Sequence, residues 1–560
     1  SVWDMINIIK ATSLSSFILI TLVMFTIRFE IVSRSVFIID YIICTGCICI
    51  SRLGIRMFFS HVLTALKTNN LENNKKNVLL IGAGDTGQLI LRQSLQKLSS
   101  PIRVIGLIDD SKNKINSKIH GIPVITDTKG LKNLTIHYDE IYICVPSADR
   151  EQMRRIVEEC KKTKKPFKTL PSMSELMEGK VSISQFREVS LVDLLGREEV
   201  ELDKNSINKF LKGKRVLVTG AGGSIGSELV RQCMKFEPSV LIMVDISELN
   251  LFEIDREILS ENSPILFKPV LSDIRDDSVV DQIFKEFKPQ VVFHAAAYKH
   301  VPMQEYFPWE AVKTNVYGTF NISEISVRYD VEKFVLVSTD KAVKPTNVMG
   351  ATKRLAEMVT QNYNRIQNNT EFMAVRFGNV LGSSGSVIPI FQEQIKKGGP
   401  VTITDPEMER YFMSIPEASQ LILQAGSLGI GGEVFILDMG DPIKIIDIAN
   451  ELIRLSGFEP ELDIPIEVTG TRPGEKKIEE LSLPTEKLDK TKHDKIFVLN
   501  DTNITDETLT KVILDIKNLE DKISVQTANQ VRKFLSSILP EYRPNLKTKE
   551  PVYLKLNAEA

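Results

Sequence analysis

This chain has few cysteines and few histidines, and neither charge is in clear excess. Six cysteines among 560 residues do not form a disulfide framework, and a reducing cytoplasm fits them best. Cys44, Cys47 and Cys49 lie in an apolar stretch without a nearby histidine or second cysteine pair, so we expect no bound metal. Seventy basic against 72 acidic residues leave a net charge of -2, which argues against a nucleic-acid partner.

Long uncharged runs are confined to the beginning of the chain. Residues 11–27 carry no charge and 36–50 carry only Asp40, and each run is a little shorter than the roughly 20 residues of a membrane-spanning helix. No small-residue cleavage pattern separates them, which favours a helical hairpin in the bilayer over a signal peptide. Buried core helices are the alternative. Arg52 and Arg56 follow the second run, so we expect a multi-pass protein of the inner membrane with its larger part in the cytoplasm.

A small α/β unit is predicted after these runs. Polar residues over 67–76 predict a linker, and the alternation that follows is typical of a parallel sheet ending before residue 191. The glycines of GAGDTG, Gly82 to Gly87, resemble a nucleotide-binding turn, with Asp109 after the following strand. Whether this turn holds a ligand stays open. The predicted elements are strands over 77–81, 104–108 and 141–145 and a helix over 150–161.

A longer alternation of strands and helices predicts a second, doubly wound parallel sheet. Its strands are expected over 215–219, 240–244, 291–293, 334–337 and 371–376. After Gly378 the sequence is richer in glycine and proline, as expected of a substrate-capping part. The predicted domains are a transmembrane segment, a small Rossmann-like domain, a catalytic Rossmann domain with its cap, and a tail, at 1–66, 67–190, 191–545 and 546–560.

A glycine-rich turn follows the first strand of the second sheet. Gly220, Gly223 and Gly226 stand between an apolar strand and a helix, the context in which such a motif binds a dinucleotide. Without Cβ atoms there, a pyrophosphate can reach the amides at the helix N-terminus. Asp245 ends the next strand, where a carboxylate accepts from ribose hydroxyls and repels a 2′-phosphate, so NAD is favoured over NADP. Asp273 is a candidate for the adenine edge, or else a solvated loop acid.

Five segments occur in a fixed order along the chain: TGAGGSIGSE, HAAAYKHVP, STDKAVKPTNVMGATKR, RFGNVLGSSGSV and RPGEK. They resemble the nucleoside-diphosphate-sugar 4,6-dehydratases of the extended short-chain dehydrogenase/reductase superfamily over about 212–480. With the apolar hairpin and the small α/β unit, the whole chain is similar to the membrane-bound branch that acts on UDP-N-acetylglucosamine. Members of that branch commonly have further upstream membrane helices, so we expect residues before Ser1.

This resemblance implies a catalytic set with one departure. Superfamily enzymes carry a Ser or Thr and a Tyr-x-x-x-Lys pair, whose phenol moves the sugar hydroxyl proton. Thr339 and Lys353 match, but the tyrosine position is Met349, whose thioether cannot act as an acid or base. By family analogy Lys341 is the base at C5, Asp340 is the acid at the C6 hydroxyl, and Thr339 binds the C4 oxygen. On composition alone, 338–341 is a polar turn that ends a strand.

The same resemblance implies the remaining site residues. His294 is expected to be a buried structural histidine. Tyr298, Lys299 and His300 line the sugar pocket or form an ordinary exposed loop, and Glu475 accepts from ribose hydroxyls or forms a surface ion pair. Further implied cofactor contacts are Ser224, Ile225, Ile274, Ala295, Ala296 and Lys353, and the implied substrate contacts from the cap are Asn379, Arg410, Arg472 and Glu475.

The implied activity is NAD-dependent 4,6-dehydration of a UDP-sugar, UDP-N-acetylglucosamine above all, for glycan or surface polysaccharide synthesis. A sugar-nucleotide 4-epimerase uses the same fold and cofactor but needs neither a C5 base nor a C6 acid. A nucleotide-sensing membrane scaffold is a third hypothesis, supported by the missing tyrosine. The expected partners are the UDP-sugar and the lipid bilayer, with a homo-oligomer as a further possibility.

Overall fold

The protein has two compact units, residues 1–147 with 156–188 and residues 148–155 with 189–560. They are seen in a computed structural model that describes residues 2–27, 34–71, 75–96, 100–148, 150–163, 165–170, 186–189, 200–261, 263–367, 369–482, 488–499 and 527–544. The predicted tail, 546–560, lies outside the described residues.

The first unit begins with two long helices, α1 (Val2–Ile27) and α2 (Arg34–Leu71). The Thr45 hydroxyl donates to Thr12 Oγ1 at 3.1 Å, a polar contact of the kind that joins helices in apolar surroundings. Within the described residues, Ser35–Arg52 is long and apolar enough to cross a membrane, with a mean hydropathy of 1.6, whereas the apolar stretch Lys10–Phe25 is shorter. One candidate span is therefore present where a hairpin of two was predicted.

Helix α2 continues through Leu71, so the predicted linker over 67–76 is wrong in its first half. Extending a formed helix adds one hydrogen bond for each residue fixed and avoids a new nucleation step, which lets polar residues remain helical beyond the apolar run.

A seven-stranded sheet follows in the first unit, in the order β3-β4-β2-β1-β5-β6-β7. Its central strands are parallel, and the predicted strands and the helix over 150–161 are confirmed with bounds shifted by a few residues. The elements are β1 (Lys76–Ile81), α3 (Asp85–Gln96), β2 (Ile102–Ile108), β3 (Lys118–Ile119), β4 (Ile122–Thr126), a 3-10 turn (Thr128–Asn133), β5 (Glu140–Ile143), α4 (Arg150–Lys162), β6 (Phe167–Thr169) and β7 (Arg187–Glu188).

The second unit contains a nine-stranded sheet in the order β10-β9-β8-β11-β12-β13-β18-β22-β21. The first seven strands in this order are parallel, which confirms the predicted doubly wound sheet. At the edge, β22 pairs antiparallel with β18, and β21 pairs antiparallel with β22. The strand order reverses between β8 and β11, where such sheets bind their ligands. The strands are β8 (Arg215–Thr219), β9 (Val240–Asp245), β10 (Leu266–Leu271), β11 (Val291–His294), β12 (Lys333–Val337), β13 (Glu371–Arg376), β18 (Val434–Leu437), β21 (Leu488–Lys490) and β22 (Ile496–Leu499).

Both faces of this sheet are buried, because successive side chains of a strand point to opposite faces. Phe334 and Leu336 of β12 pack into one core, and Val335 packs into the other. The helices of this unit are α5 (Lys204–Leu211), α6 (Ser224–Met234), α7 (Glu248–Ser260), α8 (Asp277–Phe287), α9 (Val301–Tyr306), α10 (Pro308–Ala311), α11 (Gly318–Arg328), α12 (Val348–Ile366), α13 (Val387–Lys396), α14 (Ile415–Leu428), α15 (Ile445–Leu455) and α16 (Ala528–Ile538).

A smaller part with its own apolar core is built after Gly378, where the cap was predicted. Phe391, Ile403 and Ile448 belong to this core. Its short strands pair β14 with β17, β15 with β20 and β16 with β19. They are β14 (Asn379–Val380), β15 (Val401–Ile403), β16 (Glu409–Arg410), β17 (Phe412–Met413), β19 (Ile443–Lys444) and β20 (Ile466–Val468).

Candidate active site

The glycine-rich turn after β8 leaves no room for side chains. Gly220 has a φ of +66°, and a Cβ there would lie 2.7 Å from the Ala296 Cα. A Cβ on Gly226 would lie 1.9 Å from the Gly220 carbonyl oxygen. Gly223 is the N-cap of α6. Because it has no side chain, it does not cap the backbone N–H groups in the first turn of that helix. These features fit a pyrophosphate at the start of α6.

Asp245 ends β9 and holds the glycine-rich turn in place. Its Oδ2 accepts from the Gly222 N–H and its Oδ1 from the Ser247 N–H, both at 2.8 Å. Asp109 of the first unit accepts in the same pattern from the Ala83 and Ser111 N–H groups. The two glycine turns are therefore built alike.

The neighbouring predicted cofactor residues differ in their surroundings. Asp273 pairs with Arg275 at 2.7 Å, and Arg275 also contacts Glu310. Ile274 is buried and would touch any Cβ added to Gly318. Ile225 packs at the edge of the core, and the Ser224 hydroxyl accepts from the Ser384 N–H at 3.1 Å.

The end of β11 is fixed by buried hydrogen bonds. His294 is fully buried, with Nδ1 2.7 Å from the Thr219 hydroxyl and Nε2 3.0 Å from the Thr319 hydroxyl, which confirms its structural role. Burial, aided by the charge of Lys353, lowers the pKa of His294 to about 3, so the ring is neutral at physiological pH. Small residues follow it, and Ala296 packs on Gly220.

Asn315 positions the loop that follows. It lies in a π-helical turn, Val312–Tyr317, a distortion that often marks functional sites. Its side chain accepts from the Tyr298 N–H at 2.7 Å and donates to the Tyr298 carbonyl and the Thr352 hydroxyl, each at 3.0 Å. Sequence reasoning missed Asn315, because an asparagine inside a helical pattern carries no motif of its own.

In the loop that Asn315 positions, the side chains of Tyr298, Lys299 and His300 are exposed. The imidazole of His300 lies against Gly385, which has a φ of +72°.

The predicted acid and base lie together at the carboxyl end of β12. Asp340 is fully buried, and its Oδ1 accepts from the Lys341 ammonium and the Thr339 hydroxyl, both at 2.9 Å. The Lys341 Nζ also donates to Asn379 Oδ1 at 3.0 Å. The Lys341 side chain keeps 17% of its surface exposed, so the amine lies at the mouth of the site.

Helix α12 packs directly on this turn and carries the other two predicted catalytic residues. A Cβ on Gly350 would lie 2.2 Å from the Lys341 carbonyl oxygen, so the close approach requires glycine. Met349 and Lys353 are both buried. Burial lowers the pKa of Lys353 to about 8, against the opposing effect of the Glu357 carboxylate.

Glu357 joins residues 338–341, which we call the catalytic turn because they carry the predicted acid and base, to the sheet interior. It accepts from Arg376 through two bonds of 2.7 Å, from Arg354 at 3.0 Å and from the Ser338 hydroxyl at 2.6 Å. Burial alone would raise the pKa of Glu357, but these partners outweigh it and lower the pKa to about 2. Sequence reasoning missed Glu357, although its position one helical turn after Lys353 was a possible signal.

The RPGEK segment is held against the catalytic turn. The Thr346 hydroxyl and the Asn347 amide donate to the Gly474 carbonyl at 2.8 and 3.1 Å. The Lys476 Nζ donates to the Val343 carbonyl at 2.9 Å. This segment of the cap therefore depends on the same loop that carries Asp340 and Lys341.

The arginines predicted to bind the substrate have different surroundings. Arg410 is buried and donates to the carbonyls of Glu409, Lys476 and Lys477 at 2.7 to 2.9 Å, a structural use that the sequence pattern did not predict. Arg472 is exposed, and its backbone N–H donates to Glu475 Oε2 at 3.1 Å.

The described residues contain no group of three or more His, Cys, Asp or Glu side chains that could hold a metal ion.

The doubly wound sheet, with a glycine-rich turn at its switch point and a polar cluster at the end of the neighbouring strand β12, defines a Rossmann-type α/β protein with a candidate dinucleotide-binding turn. The polysaccharide biosynthesis protein family model matches residues 216–501. The chain belongs to this family. A second model, the CoA-binding domain, matches residues 4–170.

The chain is similar to several proteins of known sequence. The capsular polysaccharide biosynthesis protein CapD of Staphylococcus aureus is 42% identical over 487 residues, 86% of this chain and 80% of that protein. The UDP-glucose 4-epimerase of Rickettsia akari (strain Hartford) is 36% identical over 275 residues, 48% of this chain and 77% of that protein. Among solved structures, Pen from Bacillus thuringiensis has 34% sequence identity and a TM-score of 0.48, and the match covers 55% of this chain and 99% of that chain.

Proposed function

We propose that this protein is an NAD-dependent sugar-nucleotide 4,6-dehydratase of polysaccharide biosynthesis, with UDP-N-acetylglucosamine as its substrate. The observation that carries the proposal is the contact between Lys341 and Asp340, 2.9 Å apart beside the dinucleotide crevice. Such a pair supplies the base and the acid that an elimination of water needs. The product is UDP-2-acetamido-2,6-dideoxy-4-hexulose.

The cofactor site fits a dinucleotide without a 2′-phosphate. The amides at the start of α6 would hold the pyrophosphate, and Asp245 would face the adenosine ribose. Lys353 would hold the nicotinamide ribose. Bound NAD would supply hydride transfer, from C4 of the sugar and back to C6.

The residues of the catalytic turn would move the protons. Transfer of one proton from the Lys341 ammonium to the Asp340 carboxylate, along their hydrogen bond, gives a neutral amine and a neutral acid. The amine then takes the C5 proton while the acid protonates the departing C6 hydroxyl, which leaves as water. The C4 hydroxyl gives its proton to water as hydride leaves C4. After water loss the pair is ammonium and carboxylate. The Lys341 ammonium returns its proton to C5 as hydride reaches C6, and one proton taken up from water restores the pair. Thr339 binds the C4 oxygen, in place of the phenol that Met349 lacks.

Substrate contacts are proposed at both rims of the site. Tyr298, Lys299 and His300 face the sugar from one side and Asn379 from the other. Arg472 is the exposed arginine of the RPGEK segment and binds the diphosphate, since a guanidinium can bond two phosphate oxygens at once. Arg410 contributes by holding that segment in place.

A 4-epimerase is the second candidate, favoured by the likeness to the Rickettsia enzyme. An epimerase moves hydride to and from C4 alone and has no use for an acid and a base at C5 and C6. The buried Asp340 with its lysine partner therefore favours the dehydratase.

Product mass distinguishes the candidates. The full chain, purified in detergent, is incubated with UDP-N-acetylglucosamine and NAD. Loss of one water supports dehydration, whereas an unchanged mass with a new isomer supports epimerisation. No conversion would overturn both and favour a nucleotide-sensing scaffold.

The N-terminal helices are proposed to anchor the enzyme at the cytoplasmic face of the inner membrane. The apolar side chains of Phe17, Ile38, Ile42 and Ile50 are exposed, which suits lipid contact. The chain should remain in the membrane fraction after alkaline extraction. Release into the soluble fraction would contradict the anchor.

A further inference from the structure

Glu305 is a buried acid that lies outside the five segments and that the proposed mechanism does not use. It belongs to α9 (Val301–Tyr306) and is only 3% exposed. Its Oε1 accepts from the Val348 N–H at 2.7 Å, and its Oε2 accepts from Arg532 Nε at 3.2 Å. One carboxylate therefore joins three helices, α9, α12 and α16.

The Val348 N–H belongs to the first turn of α12 (Val348–Ile366). The first N–H groups of a helix have no acceptor within the helix, so a buried helix start needs acceptors from elsewhere. Val348 is fully buried, and Glu305 accepts from its N–H. A carboxylate suits this place, because the N-terminus of a helix favours negative charge. Asn347 Oδ1 accepts from the Gly350 N–H at 2.7 Å and caps the same turn.

This first turn of α12 presses on the backbone of the catalytic turn. A Cβ on Gly350 would lie 2.2 Å from the Lys341 carbonyl oxygen, so no free space separates the two segments. Met349, at the position where the family resemblance expects a tyrosine, lies between Val348 and Gly350. Because close-packed interiors transmit displacements, a shift of Val348 would move both Met349 and the Lys341 backbone.

Arg532 holds the Glu305 carboxylate in this position. It belongs to α16 (Ala528–Ile538), 227 residues along the chain from Glu305, and is only 1% exposed. Its guanidinium donates to the carboxylate and the backbone carbonyl of Glu305, and to Asn529 Oδ1 at 2.8 Å. A guanidinium presents its donors in a rigid plane, so these contacts fix the direction of the acid.

We propose that Glu305 and Arg532 are positioning residues of the active site: Arg532 orients the Glu305 carboxylate, which holds the first turn of α12 against Lys341. This inference rests on the proposed dehydratase function. The glycine-rich turn and Arg472 are not in contact with the pair, so its loss should lower kcat for water loss and leave the KM for the UDP-sugar and the affinity for NAD unchanged.

The test changes both residues together, because removal of one partner would leave the other buried without its counter-charge. In the full chain, purified in detergent, Arg532→Met is combined with either Glu305→Gln or Glu305→Met. Glutamine keeps an oxygen that can accept from the Val348 N–H, whereas methionine has a similar size and only a weak acceptor. We expect kcat within about threefold of the unaltered chain with glutamine, and at least about tenfold lower with methionine, since small displacements of reacting groups are costly.

Rates are expressed per bound NAD, so that a loss of folded protein does not lower them. Lys533→Met, at the exposed neighbouring position of α16, is the control and should leave kcat unchanged. Equal kcat values in the two double variants, or a change confined to KM, would overturn the inference.

Arg532→Lys serves if the double variants do not bind NAD. It keeps the positive charge but lacks the planar fork that bonds both oxygens of Glu305, so kcat should fall with KM unchanged. An unaltered kcat in Arg532→Lys would overturn the inference. Absence of water loss in the unaltered chain would refute the dehydratase proposal, on which this inference depends.

Discussion

Arg376 binds Glu357 through two hydrogen bonds of 2.7 Å inside the catalytic unit, where both side chains are almost completely buried. Arg376 belongs to β13 and Glu357 to α12, so the pair joins a central strand to the helix that carries Met349 and Lys353. Because Ser338 also donates to Glu357, the same carboxylate fixes the start of the catalytic turn.

Glu357→Gln should strongly destabilise the catalytic unit. The substitution leaves the Arg376 guanidinium buried without its counter-charge, and breaking a buried pair in this way costs about 3–5 kcal/mol. Chemical denaturation followed by tryptophan fluorescence measures the loss. Glu393→Gln, which removes an exposed ion pair with Lys397 on α13, is the control and should have little effect. Equal effects of the two substitutions would contradict the prediction.

The contribution of Glu357 should also disappear in acid. Its pKa is about 2 in the folded chain against an ordinary value of 4.5, so the stabilisation is present above about pH 4.5 and is lost as the pH falls toward 2. The difference in the free energy of unfolding between the unaltered chain and Glu357→Gln should therefore shrink below about pH 4.5. A difference that stays constant down to about pH 3 would show that another group is responsible.

Lys341→Ala and Asp340→Ala should each abolish water loss and leave NAD bound. Each removes a proton-transfer group, worth roughly 10²- to 10⁴-fold in rate, while the glycine-rich turn is untouched. Mass spectrometry of the product and NAD titration measure the two properties separately. Lys344→Ala, at an exposed position of the same loop, is the control. Retained water loss in both catalytic variants would move the chemistry to other residues.

Gly226→Ala should prevent dinucleotide binding. The new Cβ would lie 1.9 Å from the Gly220 carbonyl, so the turn must open and withdraw its amides from the pyrophosphate. NAD titration should show at least a tenfold weaker affinity, about 1.4 kcal/mol. Gly84→Ala in the first unit meets no atom within 4 Å and should leave this affinity unchanged. Normal NAD binding by Gly226→Ala would place the cofactor elsewhere.

Local sequence patterns predicted the sheets well. The strands β8 (Arg215–Thr219) and β13 (Glu371–Arg376) have the predicted bounds, because a buried parallel strand is a short apolar run between turn residues. The same patterns failed at the end of α2, where polar residues continue an apolar helix to Leu71.

The sequence by itself determined the order of the units, the glycine-rich turn and the adjacent Asp340 and Lys341, since these depend on residues close together in the chain. Only the tertiary structure decided the partners of those residues. Arg410 holds backbone carbonyls and Glu357 accepts from the Ser338 hydroxyl, because packing of α12, β13 and the RPGEK segment brings residues from distant parts of the chain into one buried site. Burial and charge pairing are properties of that packing, and no spacing in the sequence reveals them.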